Sequence, residues 1–270
     1  MSSKRPDPGR VAVPVVQRLH IRYAKHGRMR FASHRDFQRA LERALRRAQV
    51  PVAMSAGFSP HPRISYANSA PTGSASWAEY VEIALTQPRD PDDVRQRVSN
   101  ALPAGFDFVT VVVATDRDLP NRLEASVWQI ELPQASLPAV EAGVEAFLAA
   151  DEVMVERLMK DGIRRFDARG AVTDLRTCTE LIAVDPRISD IDDISADAAP
   201  ESGTPCVILS TVVRHVTPAV RPDDLLTALR QEGELDLPVP ARVTRVAQGP
   251  LGADQRSVLD PLSASDVTVG

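Results

Sequence analysis

The stretch SHRDFQRALERALRRAQ, residues 33–49, constrains the fold of this chain more than any other. Phe37, Ala40, Leu41, Ala44, Leu45 and Ala48 recur at helical spacing, so one stripe of the helix must be buried. Ser33 stands where an N-cap belongs, and Asp36 three residues on suits the positive end of the helix dipole. A helix with a single apolar stripe needs a second layer to cover it. QRLHIRYAK, just before it, alternates Leu19, Ile21 and Tyr23 with polar residues, which predicts a half-buried strand. HGRMRF then predicts a Gly turn and a short return strand. After the helix come a strand near Arg63–Tyr66 and another at AEYVEIALT. Pro91 opens a helix that runs to about Asn100, and DFVTVVVA is a strong strand. Strand, helix, strands, helix, strand is the order of a ferredoxin-like α/β sandwich.

The order then repeats. LEASVWQIEL reads as a strand and SLPAVEAGVEAFLAA as a helix with Pro138 in its first turn. EVMVERL follows, then two strands about a turn near Gly170, the strand PCVILSTVV, the helix RPDDLLTALR and the strand ARVTRVAQ. The predicted fold class is α+β, two tandem ferredoxin-like (βαββαβ) halves, residues 18–116 and 122–248, joined near 115–123. Residues 1–17 and 249–270 read as disordered tails. The acidic segment 185–205 carries six acids against one Arg and no core pattern, which predicts a solvated, disordered loop.

At 270 residues the chain has room for two such halves. None of its apolar runs approaches the roughly 20 residues a membrane helix needs, and its start holds no apolar stretch long enough for a signal peptide. Cys178 and Cys206 are the only cysteines and form no CxxC pair. Two free thiols fit a reducing compartment, so the expected location is cytoplasmic. Iron–sulfur and zinc spacings are absent, and the sequence calls for no cofactor.

Net charge is −4, but it is unevenly spread. Arg18 to Tyr66 holds eleven Lys or Arg against Asp36 and Glu42, a local balance of +9 in a chain that is acidic elsewhere. With the apolar stripe inward, Arg35, Arg39, Arg43, Arg46 and Arg47 crowd the outer and flanking faces of the helix. Arg35, Arg39 and Arg43 recur every four residues, a row stepping about 6 Å along the axis. That step is close to the phosphate repeat of a nucleic-acid strand, and guanidinium forks match phosphate oxygens. Arg22, Lys25, Arg28, Arg30 and Arg63 reinforce the sign. The bland alternative is a solvated helix with Glu42 pairing locally.

The histidines offer less. His34 lies in the first helical turn, His61 between two prolines and His26 in a turn, and no pair has metal-ligand spacing. His34, Asp36 and His61 are the catalytic candidates. A dipole-positioned imidazole among arginines has the chemistry to activate a 2′-hydroxyl for RNA strand scission; the ordinary role of a histidine at a helix start is structural. In GFSPHPR, Gly57 permits a positive φ and the prolines fix their neighbours' dihedrals. Phe58 is expected to plug the core, leaving His61 and Arg63 preorganised beside the Arg row.

These residues carry a resemblance. In the chain's order, Arg22, Lys25, Gly27, Arg30, Phe31, Ser33, His34 and Asp36 match R-x-x-K-x-G-x-x-R-F-x-S-H-x-D. Ser55, Gly57, Phe58, Pro60, His61 and Pro62 match S-x-G-F-x-P-H-P, and Glu79 with Tyr80 matches a later E-Y. The pattern resembles the uncharacterised domain family linked to radical-SAM proteins, over roughly residues 18–250. Arg35 stands where that family has Leu, and Ser59 where it has Asn. The chain lacks CxxxCxxC, so the resemblance does not extend to radical-SAM chemistry within this chain. Stand-alone relatives tend to be encoded beside a ribonuclease E/G. The resemblance thus implies an RNA-related role by association. With the Arg-rich helix and the FSPHPR loop, the expectation is an accessory whose first half binds RNA, expected to be structured RNA, in processing or modification. The alternatives are a metal-independent ribonuclease or RNA-modifying enzyme, and a protein adaptor for a radical-SAM enzyme or ribonuclease.

Overall fold

The computed structural model describes residues 13–56, 58–160, 162–181, 206–233 and 235–263. Residues 1–12 of the first tail, the φ expected of Gly57, the acidic loop 185–205 and residues 264–270 lie outside the described residues. The chain is mixed α+β, and its contacts divide it into two compact units, Met1–Gly73 with Ala78–Pro120 and Ser74–Trp77 with Asn121–Gly270.

In the first unit, β1 (Gln17–Lys25), α1 (His34–Arg47), β2 (Ile64–Ala67), β3 (Ala75–Leu85), α2 (Pro91–Ser99) and β4 (Phe106–Val113) follow in order. The strands lie in the order β4-β1-β3-β2, with β1 antiparallel to β4 and β2 antiparallel to β3. Leu19, Ile21 and Tyr23 of β1, Val81, Ile83 and Leu85 of β3, and Phe106 and Phe108 of β4 meet the helices in one core. Phe37 is its centre, stacked on Tyr23 at 4.0 Å and tilted against Phe106 at 5.0 Å. The α1 stripe predicted from spacing is the buried one, with Phe37, Ala40, Leu41, Ala44 and Leu45 inward and Ala48 partly covered. Each fully buried Leu or Phe of this kind contributes about 1.5–3 kcal/mol.

HGRMRF departs from expectation. Gly27–Phe31 is a 3-10 turn, not a return strand. β1 already has β4 on one edge and β3 on the other, so a returning strand would find no edge to pair with. The turn instead lays Met29 against the core and closes through Met29 N–H to His26 O and Ala32 N–H to Met29 O, both 2.9 Å.

In the second unit, β5 (Ala125–Pro133) and α4 (Leu137–Ala149) follow a short α3 (Leu119–Arg122) that ends the first. Then come β6 (Met154–Met159), β7 (Gly162–Asp167), β8 (Val172–Cys178), β9 (Cys206–Arg214), α5 (Pro222–Gly233) and β10 (Arg242–Gly249). Its strands lie in the order β10-β5-β9-β8, each antiparallel to the next, and Ala75 and Ser76 add a short parallel pairing to β10. The two strands expected to pair about Gly170 do not pair with each other. β7 pairs with β6 in a separate hairpin, and β8 pairs with β9. The Asp167 carboxylate is the cause: it accepts the N–H groups of Val153, Arg169 and Gly170 at 2.8–3.0 Å and bends the chain into a 3-10 turn. After Gly249, residues expected as a tail fold back, with Leu251 bridging to Val258.

Candidate functional site

The first unit places its cations unequally. Arg35, Arg39, Arg43, Arg46 and Arg47 are all exposed along α1. Among the described residues none of the five has a carboxylate within ion-pair distance and Glu42 has no cation there, although Arg39 and Asp36 interact at longer range. α1 therefore carries an unneutralised row, because its inward face is spent on the core. Arg28 and Arg63 are also exposed, while Arg22 and Arg30 are half-buried, with the Arg30 guanidinium 4.7 Å over the Phe31 ring. Arg47 and Arg97 share a shallow cleft of 330 Å³ with Gln49 and Asn100, where α1 and α2 end.

Two of the basic residues serve the fold. Arg18 donates to Glu82 at 2.6 Å. Lys25 is only 6% exposed, and its ammonium donates to the carbonyls of Pro71 at 3.1 Å and Arg30 at 3.4 Å. An ammonium drawn under the surface by main-chain oxygens has no reach to an external phosphate. The positive surface is therefore α1 with Arg28 and Arg63, narrower than the local balance of +9 implies.

His34, at the start of α1, meets Ser69 Oγ through Nδ1 at 2.9 Å and Gln38 Nε2 through its own Nε2 at 2.8 Å. With the Gln38 amide donating to Nε2, the proton sits on Nδ1 and is given to Ser69. The ring stands edge-on to Tyr66 with centroids 4.8 Å apart. Desolvation lowers the His34 pKa, opposed by the charge of Glu79, so the ring is neutral. The neighbouring Tyr66 phenol is pushed up by burial and by Glu42. Both ring nitrogens of His34 are thus engaged, Nδ1 in tying the segment after β2 to α1 and Nε2 in a bond one turn along α1 itself.

Asp36 completes a capping box. Its Oδ2 accepts the Ser33 N–H at 3.0 Å and the Ser33 hydroxyl at 2.6 Å, while the Asp36 N–H returns to Ser33 Oγ at 3.3 Å. The Ser33 hydrogen bonds hold its carboxyl below the ordinary range. His26 is buried and bonded through Nε2 to Asp107 at 2.8 Å. Among the described residues, no three His, Cys, Asp or Glu side chains gather as a metal ion requires.

The GFSPHPR segment is the tip of a small irregular hairpin. Val52 bridges to Leu85, Met54 to Pro62, and Ala53 and Arg63 share main-chain bonds with each other and with Ala84. Ser55 closes the neck: its N–H donates to His61 O at 2.8 Å, and its Oγ accepts the His61 N–H at 3.1 Å and meets His61 Nδ1 at 2.8 Å. The Ser55 hydroxyl thus holds the exposed ring through Nδ1 and leaves Nε2 without a bond to Ser55. Phe58 does not plug the core. It is 79% exposed, because the neck pairs residues on either side of it and holds the tip off the sheet.

The predicted residues thus fall into separate local arrangements. The exposed arginines share α1. His34 and Asp36 lie within its first turn but bond to Ser69 with Gln38 and to Ser33 respectively. His61 belongs to the hairpin with Ser55. Sequence reasoning missed Ser55, Gln38, Tyr66 and Ser69 as partners and misplaced Phe58. An aromatic residue between glycine and Ser-Pro, outside any apolar periodicity, was the available signal for the last.

A model of the bacterial family described as "Uncharacterized protein conserved in bacteria (DUF2344)" matches residues 18–222. No curated protein matches the sequence.

Proposed function

This chain belongs to that bacterial family, and we propose that it is an RNA-binding accessory protein for RNA processing or modification whose first unit grips phosphates. The carrying observation is the row of exposed arginines on α1, without carboxylates in ion-pair distance among the described residues, in a chain of net charge −4. An acidic protein that keeps one such helix face concentrates anions there. Guanidinium groups repeating every four residues suit a polyanion better than a single small ion. The reading places the protein in the cytoplasm, in keeping with two unbonded cysteines. It takes from the sequence resemblance an association with a ribonuclease or radical-SAM protein. We infer too that each unit is a ferredoxin-like half, since β4-β1-β3-β2 and β10-β5-β9-β8 repeat one order with helices in the two crossovers.

The enzyme reading draws less support. A general base needs a lone pair facing its substrate, whereas His34 uses both nitrogens on Ser69 and Gln38 and Asp36 is spent on the helix cap. Of the three candidates only the exposed His61, bonded to Ser55 through Nδ1, stands outside such an arrangement.

The test is RNA affinity against salt for wild type and for Arg39→Glu with Arg43→Glu. The pair is expected to weaken binding well over tenfold, each lost charge contact being worth about 1 kcal/mol or more, and to flatten the salt dependence. Wild-type RNA affinity that does not change between low and high salt would defeat the reading.

A further inference from the structure

We propose that Phe58 is a stacking platform for an unpaired nucleobase, so that the RNA element read by the first unit is single-stranded. This deepens the RNA-binding reading above and rests on it.

Aromatic residues make up 4% of the chain, and most of those described are buried. Among the described residues the exposed large hydrophobic side chains include two aromatics, Phe58 at 79% and Phe31 at 61%. Both fall within the segment 18–66 that carries the positive charge, and neither contributes to the core of the first unit. An exposed Phe on a wandering loop would carry little meaning. This one sits on a hairpin whose neck is pinned by the Met54–Pro62 bridge and three Ser55–His61 contacts of 2.8–3.1 Å. Pro60 and Pro62 further restrict the tip. A ring held away from the core by a built neck, beside exposed cations, is placed to meet an external partner.

The partner's chemistry follows from what surrounds the ring. The same loop presents an exposed His61, held by Ser55 through Nδ1, and an exposed Arg63 two residues on. Cations for a backbone and a flat apolar face for a base are the two parts of single-strand recognition. Duplex RNA offers phosphates but keeps its bases stacked, so it satisfies only the first part. The Arg30 guanidinium over Phe31 at 4.7 Å covers one face of the second exposed aromatic, which leaves Phe58 the open ring.

The experiment uses the full chain with an oligouridylate and a blunt RNA duplex of equal length, at fixed salt. Wild type should bind the single strand more tightly than the duplex. Phe58→Ala should weaken single-strand binding about tenfold, with duplex affinity and melting temperature unchanged. Phe58→Trp should keep the affinity, and its emission should be quenched by the single strand; the native Trp77 and Trp128 are buried at 7% and 5% and give a constant background. Binding that depends on Arg39 and Arg43 but is indifferent to Phe58→Ala, or that favours the duplex, overturns this inference and leaves the RNA-binding reading standing. That result would assign the ring to a protein pocket. Absence of RNA binding at low salt overturns both.

Discussion

The Ser55 hydroxyl holds His61 twice, meeting its Nδ1 at 2.8 Å and accepting its main-chain N–H at 3.1 Å. One side-chain oxygen therefore fixes both the path of the hairpin neck and the direction of the imidazole. Because the hydroxyl is one of few ties between the two limbs, its value lies in ordering the tip more than in global stability.

Ser55→Ala tests that division. Removing the hydroxyl should cost under about 1 kcal/mol of unfolding free energy, the usual worth of such a bond. RNA affinity should fall severalfold, since a loosened tip must be ordered on binding at about 1–2 kcal/mol per residue. Denaturant titration and binding isotherms read the two effects separately. Unchanged affinity would show that the neck preorganises nothing.

Lys25 separates structural from ligand-facing charge. It is 6% exposed, with its ammonium on the Pro71 and Arg30 carbonyls. Lys25→Met would strip those oxygens of a donor and is expected to destabilise the first unit by about 1–3 kcal/mol. The salt dependence of RNA binding should stay as in wild type. A shallower slope in Lys25→Met, comparable to that of an α1 arginine variant, would return Lys25 to the binding surface.

How far these placements were legible depends on what each rests on. The α1 stripe and its Ser33 cap were readable because helical period and capping chemistry are local. The same holds for the helices opening at Pro91 and Leu137 and for the long strands. The return strand at HGRMRF failed because its fate depends on whether β1 has a free edge, a non-local fact. The pairing about Gly170 failed for a similar reason, three N–H groups converging on Asp167. At the site, the exposed arginines followed from the stripe by exclusion. Phe58 did not, because hydrophobicity alone says that a ring prefers burial and not whether the chain can bring it there. Of the two partners of His34, Gln38 lies one helical turn on, within reach of a spacing rule, whereas Ser69 lies 35 positions away, which no spacing rule reaches.

Ser33→Ala addresses the role of Asp36. Without the hydroxyl the capping box opens, and helix stability should drop by about 0.5–2 kcal/mol. RNA affinity at a temperature where the chain stays folded should be little affected, since Arg39, Arg43, Arg46 and Arg47 lie beyond the first turn. A shift in the denaturation midpoint checks the first part. An RNA-cleaving activity that appears in wild type and vanishes in Ser33→Ala would instead give the Ser33–Asp36 pair a chemical role.

Acid stability follows from two imidazoles with lowered pKa, the exposed His34 and the half-buried His215. Desolvation lowers the pKa of His34, opposed by Glu79. Desolvation also lowers that of His215, opposed by its bond to the Leu123 carbonyl and assisted by Arg245. Each group takes up its proton more readily unfolded, at about 6.5, than folded. The unfolded state then binds more protons between the lowered folded value and 6.5, so unfolding free energy rises with pH across that window. The contribution is complete above the unfolded pKa and is lost as pH falls towards the folded one. Asp36 and Asp254 are held below their ordinary 3.8 and titrate under this range, so they do not mask the effect. Denaturation midpoints should be level just above neutrality and decline as pH falls below about 6.5. His34→Gln combined with His215→Gln should flatten that decline while lowering the plateau, since contacts to Ser69, Gln38 and Ser126 are lost with the rings. A decline of equal steepness in the double variant would place its origin in other groups.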